Sequence, residues 1–216
     1  MNVIKKIKDY ILTNYKWIIC FLCLILFLEV AEDVFTNELM KLDTKGYYYV
    51  SKFLLKDNIT PIVKYITWFG SPFCLMLATL ITVSILFEKN KKQALLIPIN
   101  LITITLLNQI LKFILQRPRP TEFRLIEETG FSFPSGHSMV SMAFYGYLIY
   151  LIYKNIKIKY LKYILITILS LLIIFIGISR IYLGVHYTSD VLAGFLISIS
   201  YLTVFISFTN NKILNK

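Results

Sequence analysis

Apolar residues in this chain fall in runs rather than in the spaced stripe of a soluble amphipathic helix. Six runs stand out, at roughly 15–31, 71–87, 94–115, 136–153, 161–179 and 189–208. Each approaches the ~20 residues that a helix needs to cross a bilayer. The second is the shortest, and its pattern extends backward through Ile62 to Phe69. The stretch 32–70 differs in kind. Phe35, Leu39, Leu42 and Val50 alternate with charges, and Tyr47, Tyr48, Tyr49, Trp68 and Phe69 add aromatics. Such a composition suits a helix lying in the interface, its rings at head-group level. No repeat, low-complexity tract or linker interrupts the chain, so residues 1–216 read as one domain. The pattern predicts an all-α membrane protein: a six-transmembrane-helix bundle with an extra interfacial helix in the first outer segment.

Composition agrees, and charge adds an orientation. Hydrophobic residues make up 57% of the chain and the mean hydropathy is +0.68, against roughly 45–50% apolar residues in soluble domains. The net charge of +11 would suggest nucleic acid if it were spread over a surface. It is not. Lys5, Lys6, Lys8 and Lys16, then Lys89, Lys91 and Lys92, then Lys154, Lys157, Lys159 and Lys162, and finally Lys212 and Lys216 carry the whole excess against Asp9 and Glu88 alone. Short lysine-rich segments mark the cytoplasmic side of a membrane protein. Both termini and the loops at 88–93 and 154–160 are therefore expected inside, with 32–70, 116–135 and 180–188 outside. The partner implied is a bilayer, not a nucleic acid. The run from Trp17 to Ala31 follows a basic N-terminus but no small-residue cleavage site closes it, so it reads as an uncleaved span. Glu29, costly in lipid, is expected near the outer interface. Cys20 and Cys23 form a C-x-x-C without a second pair or a nearby histidine, and with Cys74 they read as small apolar side chains of lipid-facing helices.

Two outer segments hold the polar residues that a membrane topology leaves unexplained. Lys112 sits at the outer end of the third run, followed by Gln116-Arg117-Pro118-Arg119-Pro120, whose prolines end the helix. Phe133-Pro134-Ser135-Gly136-His137-Ser138 opens the fourth run, and Ser179-Arg180, His186 and Asp190 close the set. Lys112, Arg119 and Arg180 are three cations on one face with no carboxylate neighbour in sequence, so an anion is their natural common partner. Ser135, Gly136 and His137 open a helix, where free N–H groups and the dipole favour phosphate. His186 and Asp190 are four apart and share a helix face. An Asp accepting from one ring nitrogen leaves the other free as a nucleophile. Taken singly, Lys112 would be a snorkelling side chain and Ser135 a helix cap. The coincidence argues otherwise, because the only two histidines, His137 and His186, both fall in this set.

The arrangement Lys112-x6-Arg119-Pro120, Pro134-Ser135-Gly136-His137 and Ser179-Arg180-x5-His186-x3-Asp190 resembles the three-part signature of the type 2 phosphatidic acid phosphatase (PAP2) family, which also includes vanadium haloperoxidases. The signature region is 112–190, every signature position is matched, and the resemblance runs from about Lys112 to the end of the sixth run. It implies a haloperoxidase-like helical core with the site at its outer end, and hydrolysis of lipid phosphates or pyrophosphates through a phosphohistidine. It also implies His186 as nucleophile, Asp190 orienting it, His137 as general acid, and Lys112, Arg119, Ser135, Gly136 and Arg180 holding the phosphate, with no metal and no cofactor. The haloperoxidases are soluble, so the spans argue against that activity. Members of the bacitracin-resistance type often carry Asp at the place of Gly136, which tilts the resemblance toward the phosphatidylglycerophosphatase B group. Undecaprenyl pyrophosphate, phosphatidic acid and diacylglycerol pyrophosphate stay open as substrates. The alternatives are a lipid phosphotransferase using the same intermediate and a non-catalytic lipid-binding or transport relative. Arg117 and Arg124 lie outside the signature; either could touch a second phosphate or sit at the interface, and the interface is the favoured reading.

Overall fold

The computed structural model describes residues 3–36, 41–56 and 58–210, with side chains from residue 13 onward. Eight helices follow one another: α1 (Val3–Phe35), α2 (Lys41–Leu54), α3 (Thr60–Trp68), α4 (Pro72–Phe87), α5 (Lys91–Leu115), α6 (Gly136–Asn155), α7 (Lys159–Tyr182) and α8 (Thr188–Thr209). Their ends have local causes. Asn90 caps α5 by accepting from the Gln93 N–H at 3.0 Å, and Ser135 caps α6 by accepting from the Ser138 N–H at 3.4 Å. α5 stops at Leu115 because Gln116 turns left-handed (φ 43°), with its N–H returned to the Lys112 carbonyl at 3.0 Å. That break lies just before the Arg-Pro-Arg-Pro run expected to cause it.

The backward extension of the second run is a separate helix. α3 and α4 meet at a 50° bend, because Gly70-Ser71 interrupts the helix and Pro72 restarts it at a position where no N–H is needed. Ser71 caps the new helix through the Cys74 N–H at 3.3 Å.

α6 occupies the centre, packed on α5, α7 and α8, while α1 lies along α8 and α4 along α5. Leu75, Ile97, Phe144, Tyr147 and Ile176 form the buried core. The outward faces are also apolar: Phe21, Leu80, Ile110 and Phe113 are all exposed. In such a protein buried polar groups, rather than apolar contrast, tie helices together. Asn100 donates to the Ala143 carbonyl at 3.0 Å, and Ser198 donates to the Met139 carbonyl at 2.7 Å. Cys20 and Cys23 do not face lipid. Both are buried, and Ser200 of α8 donates to the Cys20 carbonyl at 2.9 Å. Cys74 is buried as well.

Three helices, α5, α7 and α8, are long and apolar enough to cross a membrane, and the bent α3–α4 pair passes the same test of length and composition only if its two helices are taken together. The chain is thus a multi-pass, all-helical protein among its described residues. The lysine loops 88–93 and 154–160 lie at the opposite helix ends from Lys112, His137 and Arg180. Leu39, Lys212 and Lys216, used above for the interfacial helix and the topology, lie outside the described residues.

Candidate active site

The ends of four helices converge on one polar cluster. Lys112 comes from the last turn of α5, His137 from the first turn of α6, Arg180 from the last turn of α7 and Asp190 from the first turn of α8. His186 lies on the short turn between α7 and α8, and the 116–135 segment crosses over the cluster with Arg117, Arg119, Glu128 and Ser132. A cavity of about 610 Å³ is lined by Lys112, Arg119, Glu128, Gly136, His137 and His186 on its polar side. Leu75, Met76, Leu101 and Val140 line its apolar side between α4, α5 and α6.

His186 is the best-defined member. Its side chain is almost wholly buried, with Nδ1 3.3 Å from Asp190 Oδ2 and Nε2 3.0 Å from Arg119 Nη1. A guanidinium can only donate, so Nε2 must be the acceptor and Nδ1 carries the proton toward Asp190. The unprotonated nitrogen is Nε2, whose lone pair is taken up by the Arg119 guanidinium, itself a residue of the cavity wall. Burial, reinforced by Arg180 and Arg119 and opposed by Asp190, lowers the His186 pKa to about 4. The ring is therefore neutral, and nucleophilic, at any pH well above that value.

Asp190 is fully buried and its carboxylate is saturated. Oδ2 accepts from Ser132 Oγ and, at 2.8 Å, from the Tyr187 N–H. Oδ1 accepts from Arg117 Nη1 at 2.6 Å. Arg117, expected at the membrane interface, is instead mostly buried (10% exposed) inside this network. Its other nitrogen donates to Asp43 of α2 at 2.7 Å, and its guanidinium stacks 4.0 Å above the Tyr187 ring. Burial works against the Arg117 charge, but Asp190 and Asp43 outweigh it and raise the pKa. Arg124 donates to the Pro120 carbonyl.

Two of the three cations are paired with a carboxylate. Arg180, 1% exposed, donates to Glu128 Oε1 and, at 2.9 Å, to Thr67 Oγ1. Arg119 lies 3.9 Å from the other Glu128 oxygen. Burial raises the Glu128 pKa, yet Arg180 and Arg119 outweigh it and hold the carboxyl ionised below its usual range. Arg119 is further pinned by the carbonyls of Thr129, Gly130 and Val185, each at 3.0 Å. Lys112 donates to the Phe131 carbonyl. Arg180 Nε is buried with no hydrogen-bond partner among the described residues, an unmet donor within the cationic cluster.

Ser135 and Gly136 are placed less directly. Ser135 is fully buried, its N–H donated to the Asp190 carbonyl at 3.1 Å, so it braces the α6–α8 junction. Gly136 lines the cavity, and a Cβ there would stand 3.1 Å from Asn108 Oδ1. Asn108, missed by the sequence reading, donates to the Pro134 carbonyl at 3.2 Å and holds the turn. Asp43, Ser132 and Glu128 were missed too. No group of three or more His, Cys, Asp or Glu is placed to hold a metal ion among the described residues.

Residues 93–214 match the PAP2 superfamily. The chain is 33% identical over 171 residues to phosphatidylglycerophosphatase B of Bacillus subtilis (strain 168), covering 78% of this chain and 84% of that protein. Its fold is similar to a crystal structure of a transmembrane PAP2-type phosphatidylglycerolphosphate phosphatase from Bacillus subtilis, with a TM-score of 0.79 and 27% identity, over 89% of this chain and 96% of that one. It is also similar in fold to LpxE of Aquifex aeolicus, with a TM-score of 0.64 and 22% identity, over 78% of this chain and 96% of that one.

Proposed function

This chain belongs to the PAP2 superfamily, and we propose that it removes the terminal phosphate of phosphatidylglycerophosphate, or of closely related anionic lipids, at the outer membrane face. It is an integral-membrane lipid phosphatase. The observation that carries the mechanism is the polarised His186, held at Nδ1 by Asp190 and with Nε2 on the cavity side against Arg119.

In this reading Nε2 attacks the phosphorus, an N–P bond forms and the P–O bond to the lipid breaks. His137, across the same cavity, gives its proton to the departing alkoxide. Water then attacks the phosphohistidine, losing a proton to His137, and the N–P bond breaks to release phosphate. Lys112, Arg119 and Arg180 balance the charge on the phosphoryl oxygens, with the α6 N-terminus beside them. Ser135 and Gly136 shape that N-terminus. No metal and no cofactor enters these steps. The apolar wall of Leu75, Met76, Leu101 and Val140 suits acyl chains, so lipid would enter between α4 and α5 with its head group on the histidines.

The test is phosphate release in detergent, with EDTA present and no added alcohol. The panel is phosphatidylglycerophosphate, undecaprenyl pyrophosphate, phosphatidic acid and diacylglycerol pyrophosphate, compared by kcat/KM. The expected result is full activity under chelation with phosphatidylglycerophosphate the best substrate. Activity restored only by magnesium, or only by an acceptor alcohol, would overturn the mechanism; a different best lipid would overturn the substrate.

Residues 1–216 are read as one domain of six spans: α1, the bent α3–α4 pair, α5, α6, α7 and α8. α6 carries more polar residues than a lipid-exposed span would, because it is enclosed by its neighbours. α2 is read as lying at the outer surface, with both termini in the cytoplasm. The lysine asymmetry makes this testable. With the three native cysteines replaced by alanine, cysteines at Asn58 or Glu127 should react with an impermeant thiol reagent on intact cells, whereas cysteines at Lys89 or Lys157 should not. All four positions are exposed. Reversed labelling would place the site in the cytoplasm.

A further inference from the structure

α2 does more than rest on the outer ends of α7 and α8. Asp43, in its first turn, is 6% exposed and accepts from the Ser189 N–H at 2.8 Å and from Ser189 Oγ at 2.9 Å. Three residues on, Gly46 meets the start of α8 so closely that a Cβ would fall 2.0 Å from Thr188 Oγ1. Only glycine lets the α2 backbone seat there. Arg117 then bridges Asp43 and Asp190 with its two terminal nitrogens, at 2.7 and 2.6 Å. The result is a carboxylate–guanidinium–carboxylate chain that runs from α2 to the His186 imidazole.

We propose that Asp43 and Arg117 are positioning residues for the phosphatase reaction, locking the Asp190 carboxylate, and through it His186, in the attacking geometry. The proposal rests on the reading of His186 as nucleophile. Its physical basis is charge and direction. A buried carboxylate beside a neutral histidine needs a counter-charge, which Arg117 supplies through a rigid planar fork. Alone, Arg117 would neutralise Asp190 and weaken its hold on the His186 N–H. Asp43 restores a net single negative charge to the triplet, so Asp190 stays both fixed and anionic. A purely structural clamp between α2 and α8 would need only the Ser189 bonds and the Gly46 contact, with no charge reaching Asp190.

The experiment is a double-mutant cycle on the full chain in detergent, using p-nitrophenyl phosphate and phosphatidylglycerophosphate. The variants are Asp43→Asn, Arg117→Gln and the pair. Asparagine can still accept the Ser189 N–H through its one oxygen, so Asp43→Asn removes the charge and the bond to Arg117 and keeps that docking bond. Each single variant is expected to lower kcat by about 10–100-fold, the size of effect typical when a group that orients an active-site ligand is lost. KM should change little, and the double variant should be no worse than Arg117→Gln alone.

The pH profile gives a readout that a structural role would not move. The acid limb of kcat/KM in the native enzyme, set by protonation of His186, is expected near pH 4. Arg117→Gln leaves more negative charge on Asp190, stabilises the imidazolium and shifts that limb upward; Asp43→Asn shifts it downward. The other charged and titratable groups around His186, namely Lys112 on α5, His137 on α6, Arg180 on α7, and Arg119 and Glu128 on the crossing segment, are the same in every variant. If Asp43→Asn does not fold, Arg117→Lys, which keeps the charge and loses the fork, should show the same fall in kcat at constant KM. Multiplicative losses in the double variant, a loss confined to KM, or an unmoved acid limb would overturn the proposal. Full turnover by His186→Ala would instead overturn the nucleophile assignment, which separates the two failures.

Discussion

His186→Ala is expected to abolish turnover on every substrate, because no phosphoenzyme can form without Nε2. His137→Ala should behave differently. General acid catalysis typically contributes about 10²–10⁴-fold, and a lipid alkoxide needs that proton far more than a nitrophenolate does. His137→Ala should therefore lose most lipid phosphatase activity while keeping a much larger share on p-nitrophenyl phosphate. Asp190→Asn should reduce both activities. An amide oxygen can still accept from the His186 N–H, but the negative charge that steadies the ring as it reacts is gone. The measurement is steady-state kinetics of the three variants on both substrates, after confirming folding and insertion. Activity of His186→Ala on the aryl phosphate, with His137→Ala dead on both substrates, would reverse the two assignments.

Arg180→Gln should have the next largest effect, a fall in kcat/KM of about 10³-fold on lipid, as for loss of a preorganised donor to developing oxyanion charge. Its burial magnifies the loss. Arg180 is held rigidly by Thr67 and Glu128, and its unmet Nε is the donor that a phosphate oxygen would satisfy. Removing the cation also leaves Glu128 without its main partner, a partly buried negative charge beside an incoming dianion. The variant should accordingly lose affinity as well as rate. Adding Glu128→Gln to Arg180→Gln should restore part of KM but not kcat, since the repulsion is relieved and the transition-state donor is still missing. Activity of Arg180→Gln within tenfold of native would remove Arg180 from the phosphate site.

Much of this protein was legible in its sequence. The apolar runs indicate membrane helices, because bilayer thickness acts on composition along the chain rather than on contacts. The site was legible for a related reason. Lys112, His137, Arg180 and Asp190 sit in the first or last turns of helices, so once the spans are drawn, one set of helix ends must gather these residues on one face. The spacing of four between His186 and Asp190 is a local fact, but the two do not share a helix face as expected: His186 sits on the turn before α8, and the 3.3 Å contact is made from that turn to the first turn of the helix.

Tertiary structure decided the partners. Arg117 reads in sequence like any interfacial arginine, since a charge near a span end looks the same whether water or a buried carboxylate neutralises it. Its partners Asp43 and Asp190 lie 74 and 73 residues away. Ser189 and Asp43 are 146 apart, and no periodicity or propensity couples positions that far separated. Glu128 likewise paired with Arg180 only when the 116–135 segment folded across the helix ends. Cys20 and Cys23 turned inward because α1 lies along α8, and an apolar helix carries the same pattern toward lipid as toward a neighbour. Lipid and protein interior are equally apolar, so hydrophobicity drew the spans but could not say which face of each meets another helix; close packing and buried polar pairs settled that.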